Sequence, residues 1–427
     1  MIEENIDEPY IEPEINPIWM LLKIAHNIPG FDAERDEAIL DAECRRVWNA
    51  LIAEEFAEDQ IEEIVRISNL TRSDFEPLSE TEFESIIKAL DISSDQLPGL
   101  LSEVVFTRTH FHHGVVLKGY VFVNAIFDDC VFANGFDLDD CMVLEGLSVT
   151  NCRHLAEAKI SNTTVHEIAN FSGSTYEAKS EFKGGYFETF AVERCQFESE
   201  ASFHEVEVGT DAHFTGAVFN HSTSFKGARF PHQVPRFFGA ALHEDTSFAD
   251  VHWPTTSNTN NDKKEAARDA VRAYECLKRI VGDQRKFRLE HMFLQLEMKS
   301  QERAEGFIQS LPSRLFRYFS DYGWSYVRPV VALIIVWAAA GSYFAASKCG
   351  DALSHGADSY SCWLEAFALS FANLFAFLGI GRTLLPDEIA ELDGVWWAEA
   401  VAGMQMIVGP ILIFFVLLAF RNRFRMK

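Results

Sequence analysis

Three apolar runs near the C-terminal end carry the strongest hydrophobic pattern in the chain. Two of them, residues 329–347 and 400–420, contain no charged side chain. A bilayer core about 30 Å thick takes about 20 apolar residues in a helix, a length both runs meet, so each predicts a membrane span. Residues 366–381 form a shorter run that closes on Phe-Leu-Gly-Ile-Gly. At about 1.5 Å per residue it reaches only about 24 Å, which predicts a re-entrant helix rather than a third span.

Upstream, the period changes twice. Apolar residues at three and four spacing in residues 17–25, 32–55 and 60–67 predict short helices, with Ser79, Asp91 and Ser93 as further start signals. From about Val105 large apolar residues recur five and six apart, as in Phe203, Val208, Phe214, Phe219, Phe225 and Phe230, giving a unit of 11. Thr-Gly-Ala-Val-Phe at 215–219 is echoed by Lys-Gly-Ala-Arg-Phe at 226–230, and Cys130, Cys141 and Cys152 keep the same interval, each preceded by Asp or Asn. So short a period cannot bury a helix face. It predicts a solenoid of short strands, each putting one large side chain inside before turning. Pro231 and Pro235 interrupt the spacing and predict a loop thrown out of one coil. Between residues 260 and 305 the period is helical again, with a break expected near Gly282, and residues 308–326 make an amphipathic stretch suited to a membrane interface.

Charge adds topology. Arg314, Arg317 and Arg328 precede the first long run, and Arg421, Arg423, Arg425 and Lys427 follow the last. The positive-inside bias places both flanks in the cytoplasm and so requires an even number of crossings. Residues 348–399 then form an external loop, with Trp363, Trp396 and Trp397 as interfacial anchors beside Arg328, Arg421 and Arg423. The stretch from Met1 to Met20 holds six carboxylates and no basic residue, the opposite of a secretion signal, so the soluble bulk is expected in the cytoplasm. Residues 1–100 supply −18 of the net charge of −27, which disfavours direct nucleic-acid binding and leaves a basic protein partner or a solvated helical face.

The residues offer little catalytic chemistry. No Ser-His-Asp spacing, phosphate loop or metal signature is present, and the reading is of a non-enzyme without cofactor. His110, His112 and His113 crowd into one strand, whose alternation sends neighbours to opposite faces and predicts exposed histidines rather than metal ligands. Six of the eight cysteines fall in the expected cytoplasmic part as free thiols, with Cys130, Cys141 and Cys152 filling small inward sites. Cys349 and Cys362 fall in the external loop, where they either close a disulfide or stay as two unpaired thiols.

On these repeats, residues 101–253 resemble the pentapeptide-repeat family, which implies a right-handed quadrilateral β-helix of about 20 residues per coil. Two units of 11 would make one slightly enlarged coil. The order span, short helix, glycine turn, span resembles the two-helix potassium-channel pore module. Together, residues 101–427 resemble bacterial pentapeptide-repeat ion-channel proteins. That resemblance places filter-like positions at Phe377, Leu378, Gly379, Ile380 and Gly381, and an outer mouth at Arg382, Asp387 and Glu388. Both filter glycines are kept, whereas Phe377, Ile380 and Arg382 replace the family's Thr, Tyr and outer acid, so potassium selectivity is not implied.

The expected architecture is mixed: an acidic α-helical cap (1–100), a β-helix (101–254), a helical linker (255–327) and a two-span pore-like domain (328–427). The function expected is a membrane ion channel, or a channel-like effector, assembled as a homotetramer in a bacterial inner membrane and gated by its cytoplasmic part. The alternative is a non-conducting, membrane-tethered interaction scaffold. Lipid and a cytoplasmic protein on the cap or β-helix are the partners expected.

Overall fold

Turns recur at the repeat interval through the middle of the chain, and each depends on one left-handed residue. Asp129, Asp140, Asn151 and Asn162 have φ of 53°, 53°, 55° and 49°, and Gly173, Gly184, Gly216 and Gly227 continue the series. Asp and Asn tolerate this conformation better than other side chains, and glycine has no Cβ to clash. This is why Cys130, Cys141 and Cys152 each follow an Asp or Asn, while Cys195 follows Arg194 in the same conformation. The next residue is small and buried, and where it is Cys, Thr or Ser its side chain donates to a carbonyl of the preceding coil. Cys130 reaches Phe106 O at 3.3 Å, Thr163 reaches Leu138 O at 3.3 Å, Ser174 reaches Val149 O at 2.8 Å and Cys195 reaches Phe171 O at 3.0 Å.

The strands between these turns pair in parallel with the coils before and after. Glu103 pairs Asn124, Arg153 pairs Thr175 and Val218 pairs Ala241, so the chain returns to the same face after two units of the repeat, give or take one position. The coil of two units is therefore observed. Three sheets carry the ladder, two of them six strands deep. The third covers two faces, because Thr164–Asn170 pairs Met142–Val143 with its first half and Gly146–Thr150 with its second, bending between Val165 and Ile168. The result is a four-faced parallel β-solenoid of about six coils. The proline segment is smaller than expected: the step from His213 to Arg236 is one position longer than the step from Glu207 to Arg229, so a corner is enlarged by a single residue.

Inside, rings stack from coil to coil. Phe111, Phe132, His154, Tyr176, Phe197 and Phe219 form one ladder, with successive centroids 5.1, 4.8, 4.5, 4.8 and 4.6 Å apart. Phe182, Phe203, Phe225 and Phe248 form another, at 5.0, 4.9 and 5.2 Å. Each ring buries large apolar area, and offset stacking adds to it.

This computed structural model describes residues 10–27, 37–254, 263–352, 359–379 and 396–425. Its contacts divide the chain into two units, Met1–Gln284 and Arg285–Lys427. In the first, helices α1 (Pro17–Leu22), α2 (Ile24–Asn27), α3 (Glu37–Ala53), α4 (Glu58–Ile67), α5 (Glu80–Leu90) and α6 (Leu97–Ser102) precede the solenoid. Ser79 caps α5 and exchanges hydrogen bonds with Glu82. Asp91, expected to start a helix, instead ends α5 in a left-handed turn, φ 53°.

These helices stopper the open end of the first coil. Trp19 packs on Phe106 and Phe111 at 6.2 and 5.2 Å. Trp48 Nε1 donates to Val121 O at 2.7 Å, while Asn49 donates to Gly119 O at 2.9 Å and accepts from Val121 N at 3.0 Å. Ile11 pairs Thr109 and extends one face. At the far end Trp253 lies against Phe230 and Phe248, and α7 (Lys263–Asp283) seals the last coil through Tyr274 Oη to Pro254 O and Cys276 Sγ to Phe237 O.

In the second unit, α8 (Phe287–Ala304) and α9 (Leu311–Ser320) precede α10 (Val327–Ala352), α11 (Ser359–Leu374) and α12 (Trp396–Arg425). The break expected near Gly282 lies just beyond α7, at residues 284–286.

Candidate functional site

Helices α10 and α12 are long and apolar enough to cross a membrane, over Val327–Ser347 and Trp396–Phe424. Their outward faces carry uncovered aliphatic and aromatic groups, among them Ile334, Ile335, Ile407, Phe414 and Leu417. Exposed apolar area on this scale marks a surface that meets something other than water.

The shorter α11 packs against both. It is described from Ser359, two turns before the apolar run, and Trp363 stacks on Phe367 one turn along. Ala340, Phe344, Ala345, Ala366, Leu369, Ala398 and Ala402 make the shared core, mostly small residues that let the helices approach. Gly341 meets the Phe367 ring, and a Cβ there would stand 2.6 Å from it. Gly409 lies against the Leu374 carbonyl, whereas Gly403 faces open space. Of the two glycines in the last run, Gly409 is thus the one that makes a close contact.

A polar chain crosses the three helices. Ser370 Oγ donates to Trp337 O at 2.8 Å and accepts from Gln405 Nε2 at 2.9 Å, and Trp337 Nε1 donates to Phe367 O at 3.0 Å. The serine has one hydrogen, committed to Trp337 O, so the amide of Gln405 must present its NH2 to it. Gln405 Oε1 and Asn373 Nδ2 are buried without a hydrogen-bond partner among the described residues. Unsatisfied polar atoms among apolar helices are costly, and such groups often mark function.

After α11 comes one turn of 3₁₀ helix, Ala376–Leu378, ended by Gly379 in left-handed conformation, φ 71°. Phe377 is 52 % exposed, and among the described residues nothing approaches Gly379 within 4 Å of where a Cβ would stand. The side chain of Leu378, and Ile380, Gly381, Arg382, Asp387 and Glu388, lie outside the described residues.

The flanking anchors are placed as follows. Trp396 and Trp397 open α12 with stacked rings 3.7 Å apart, both exposed, and Trp363 is exposed on α11. Arg328 pairs Asp321 at 3.7 Å in the first turn of α10, Arg421 lies exposed near the end of α12, and Arg423 lies over the Tyr326 ring at 5.4 Å. Helix α9 shows Leu311, Leu315 and Tyr318 to the outside, interspersed with Arg314 and Arg317, and Phe307 and Ile308 are exposed just before it. Cys362 is disulfide-bonded, and the side chain of Cys349 lies outside the described residues. Cys44, Cys130, Cys141, Cys152, Cys195 and Cys276 are free and buried.

The histidine cluster corrects one expectation. The strand ends at Phe111, and beyond it His112 comes back to His110, ring centroids 3.9 Å apart. His112 also meets Glu12 at 3.3 Å, while burial and the neighbouring imidazole lower the pKa of His110. Among the described residues no group of three or more His, Cys, Asp or Glu could hold a metal ion. Comparisons with family models, with curated proteins and with solved structures found no match for this chain.

Proposed function

We propose that the chain is a membrane ion channel or channel-like effector whose solenoid and helical cap act as the cytoplasmic sensor. The observation that carries this reading is the short helix α11, packed against two bilayer-length helices whose other faces are uncovered and followed by a 3₁₀ turn that a left-handed glycine ends. Several copies of that arrangement around one axis, four by analogy with the two-helix pore, would bring residues 377–381 together as a constriction. Arginines on both flanks favour cytoplasmic ends, and a disulfide at Cys362 favours an oxidising compartment for the segment between the spans. Coils of two repeat units on four faces support a pentapeptide-repeat β-helix.

The test is stoichiometry in detergent followed by planar-bilayer recording. Tetramers with single-channel currents that change on Phe377→Ala support the reading; folded monomers, or silent tetramers, refute conduction. A second reading, a tethered scaffold, draws on the solenoid itself, stoppered at both ends and presenting flat faces. Deletion of residues 328–427 would leave a scaffold's partner binding intact.

A further inference from the structure

Between α9 and α10 three successive residues hold left-handed backbone: Asp321, Tyr322 and Gly323, with φ of 51°, 55° and 81°. In that conformation a Cβ crowds the following carbonyl, so the first two need outside support. It comes carbonyl by carbonyl. Gln295 Nε2 donates to Asp321 O at 3.2 Å, His291 Nε2 to Tyr322 O at 3.2 Å, and Asn422 Nδ2 to Gly323 O at 3.2 Å. A carbonyl only accepts, so the ring nitrogen of His291 that faces it carries the hydrogen. The Tyr322 hydroxyl donates to Glu302 Oε1 at 2.7 Å, and Glu302 Oε2 holds Arg317 at 2.9 Å, with Glu302 only 5 % exposed. His291, Gln295 and Glu302 belong to α8, Arg317 to α9 and Asn422 to the last turns of α12.

We propose that this elbow is a mechanical coupling through which α8 sets, together, where α10 begins and where α12 ends. Val327 starts α10 about one helical turn after Gly323, and just before it Tyr326 lies 5.2 Å from Phe420 of α12. Withdrawal of His291 and Gln295 frees two carbonyls of a strained turn, which then relaxes and lets the two helix ends part. Such a turn has two discrete arrangements, held or released, as a transmitting element requires. Residues 284–286 join α8 to α7, the helix that seals the solenoid. The coupling goes beyond the channel reading and stands whether or not the assembly conducts.

The test uses the full chain in lipid nanodiscs, with nitroxide labels on cysteines placed at Val327 and Phe424. Both positions are exposed, and the six free native thiols are buried and do not compete. A narrow distance distribution is expected for the parent, broadening at least twofold in His291→Leu/Gln295→Leu and in Asn422→Leu. Gln405→Leu, which removes a contact between α11 and α12 away from the elbow, should lower thermal stability and leave the distribution narrow. An unchanged width in the elbow variants, or equal broadening in Gln405→Leu, overturns the coupling. Should the double variant fail to fold, Tyr322→Phe removes only the bond to Glu302, and broadening or its absence there decides in the same way.

Discussion

The imidazole of His154 lies parallel to the phenol ring of Tyr176, 4.5 Å away and 4° from coplanar orientation, as one rung in a ladder otherwise made of phenylalanines and that one tyrosine. Both its nitrogens are buried without a hydrogen-bond partner, and burial pushes its pKa down from 6.5 to about 3.

A depressed pKa means the unfolded chain binds the proton and the folded one refuses it. Stability from this site is complete above pH 6.5 and is lost as the pH falls towards 3, by up to about 5 kcal/mol. His154→Phe should fill the rung without that liability. Unfolding followed by circular dichroism should show the variant more stable than the parent, by a margin that widens between pH 7 and pH 4. A margin independent of pH would refute the assignment.

The left-handed turns predict opposite effects of opposite exchanges. Gly173→Val forces a branched side chain into φ of 75° against Asn151, and should cost about 2 kcal/mol or more. Arg194→Gly relieves φ of 55° and should be neutral or stabilise by up to about 1 kcal/mol, offset by the looser unfolded chain. Denaturant midpoints of the two variants check the pair.

At the N-terminal stopper, Asn49→Leu orphans the Gly119 carbonyl and the Val121 amide at once. A loss of about 2–5 kcal/mol is expected, and hydrogen exchange should rise first in residues 103–122, ahead of later coils. Uniform protection along the solenoid would contradict the stopper's role.

Gly409 and Gly403 separate packing from mere composition. Gly409→Ala drives a methyl into the Leu374 carbonyl and should destabilise the helix trio by about 1–3 kcal/mol. Gly403→Ala meets nothing and should change stability by less than about 1 kcal/mol, towards higher stability. Heat-induced aggregation in detergent reports both.

Alkylation counts the thiols. Under denaturing, non-reducing conditions six of the eight cysteines should react, and reduction should expose two more, Cys362 and its partner, which the sequence places at Cys349. Eight reactive thiols before reduction would remove the disulfide.

The solenoid was legible because its period is written in large residues: Phe132, His154 and Tyr176 stand at equal intervals of two repeat units, so the register alone places the histidine inside. Its chemistry hides that role, since an imidazole elsewhere is a surface group. The two long apolar helices were equally plain, because each is written as an uninterrupted apolar run long enough to span a bilayer. Helix ends were read less well. Residues 359–365 belong to α11 although they precede its apolar run, and Asp91 stops a helix rather than starting one. The elbow was invisible: Gly323 hints at a turn, but nothing local forces Asp321 and Tyr322 into left-handed backbone. The donors that hold the turn sit far away in sequence, His291 and Gln295 on a preceding helix and Asn422 close to the end of the chain.

Because Trp19 closes one mouth of the coil stack and Trp253 the other, the rod cannot grow by docking end to end with its own kind. Its length is instead quantised in the gene. Adding or removing one whole coil would shift the spacing between the helices at its two ends by one strand separation, about 4.8 Å, and leave both plugs as they are.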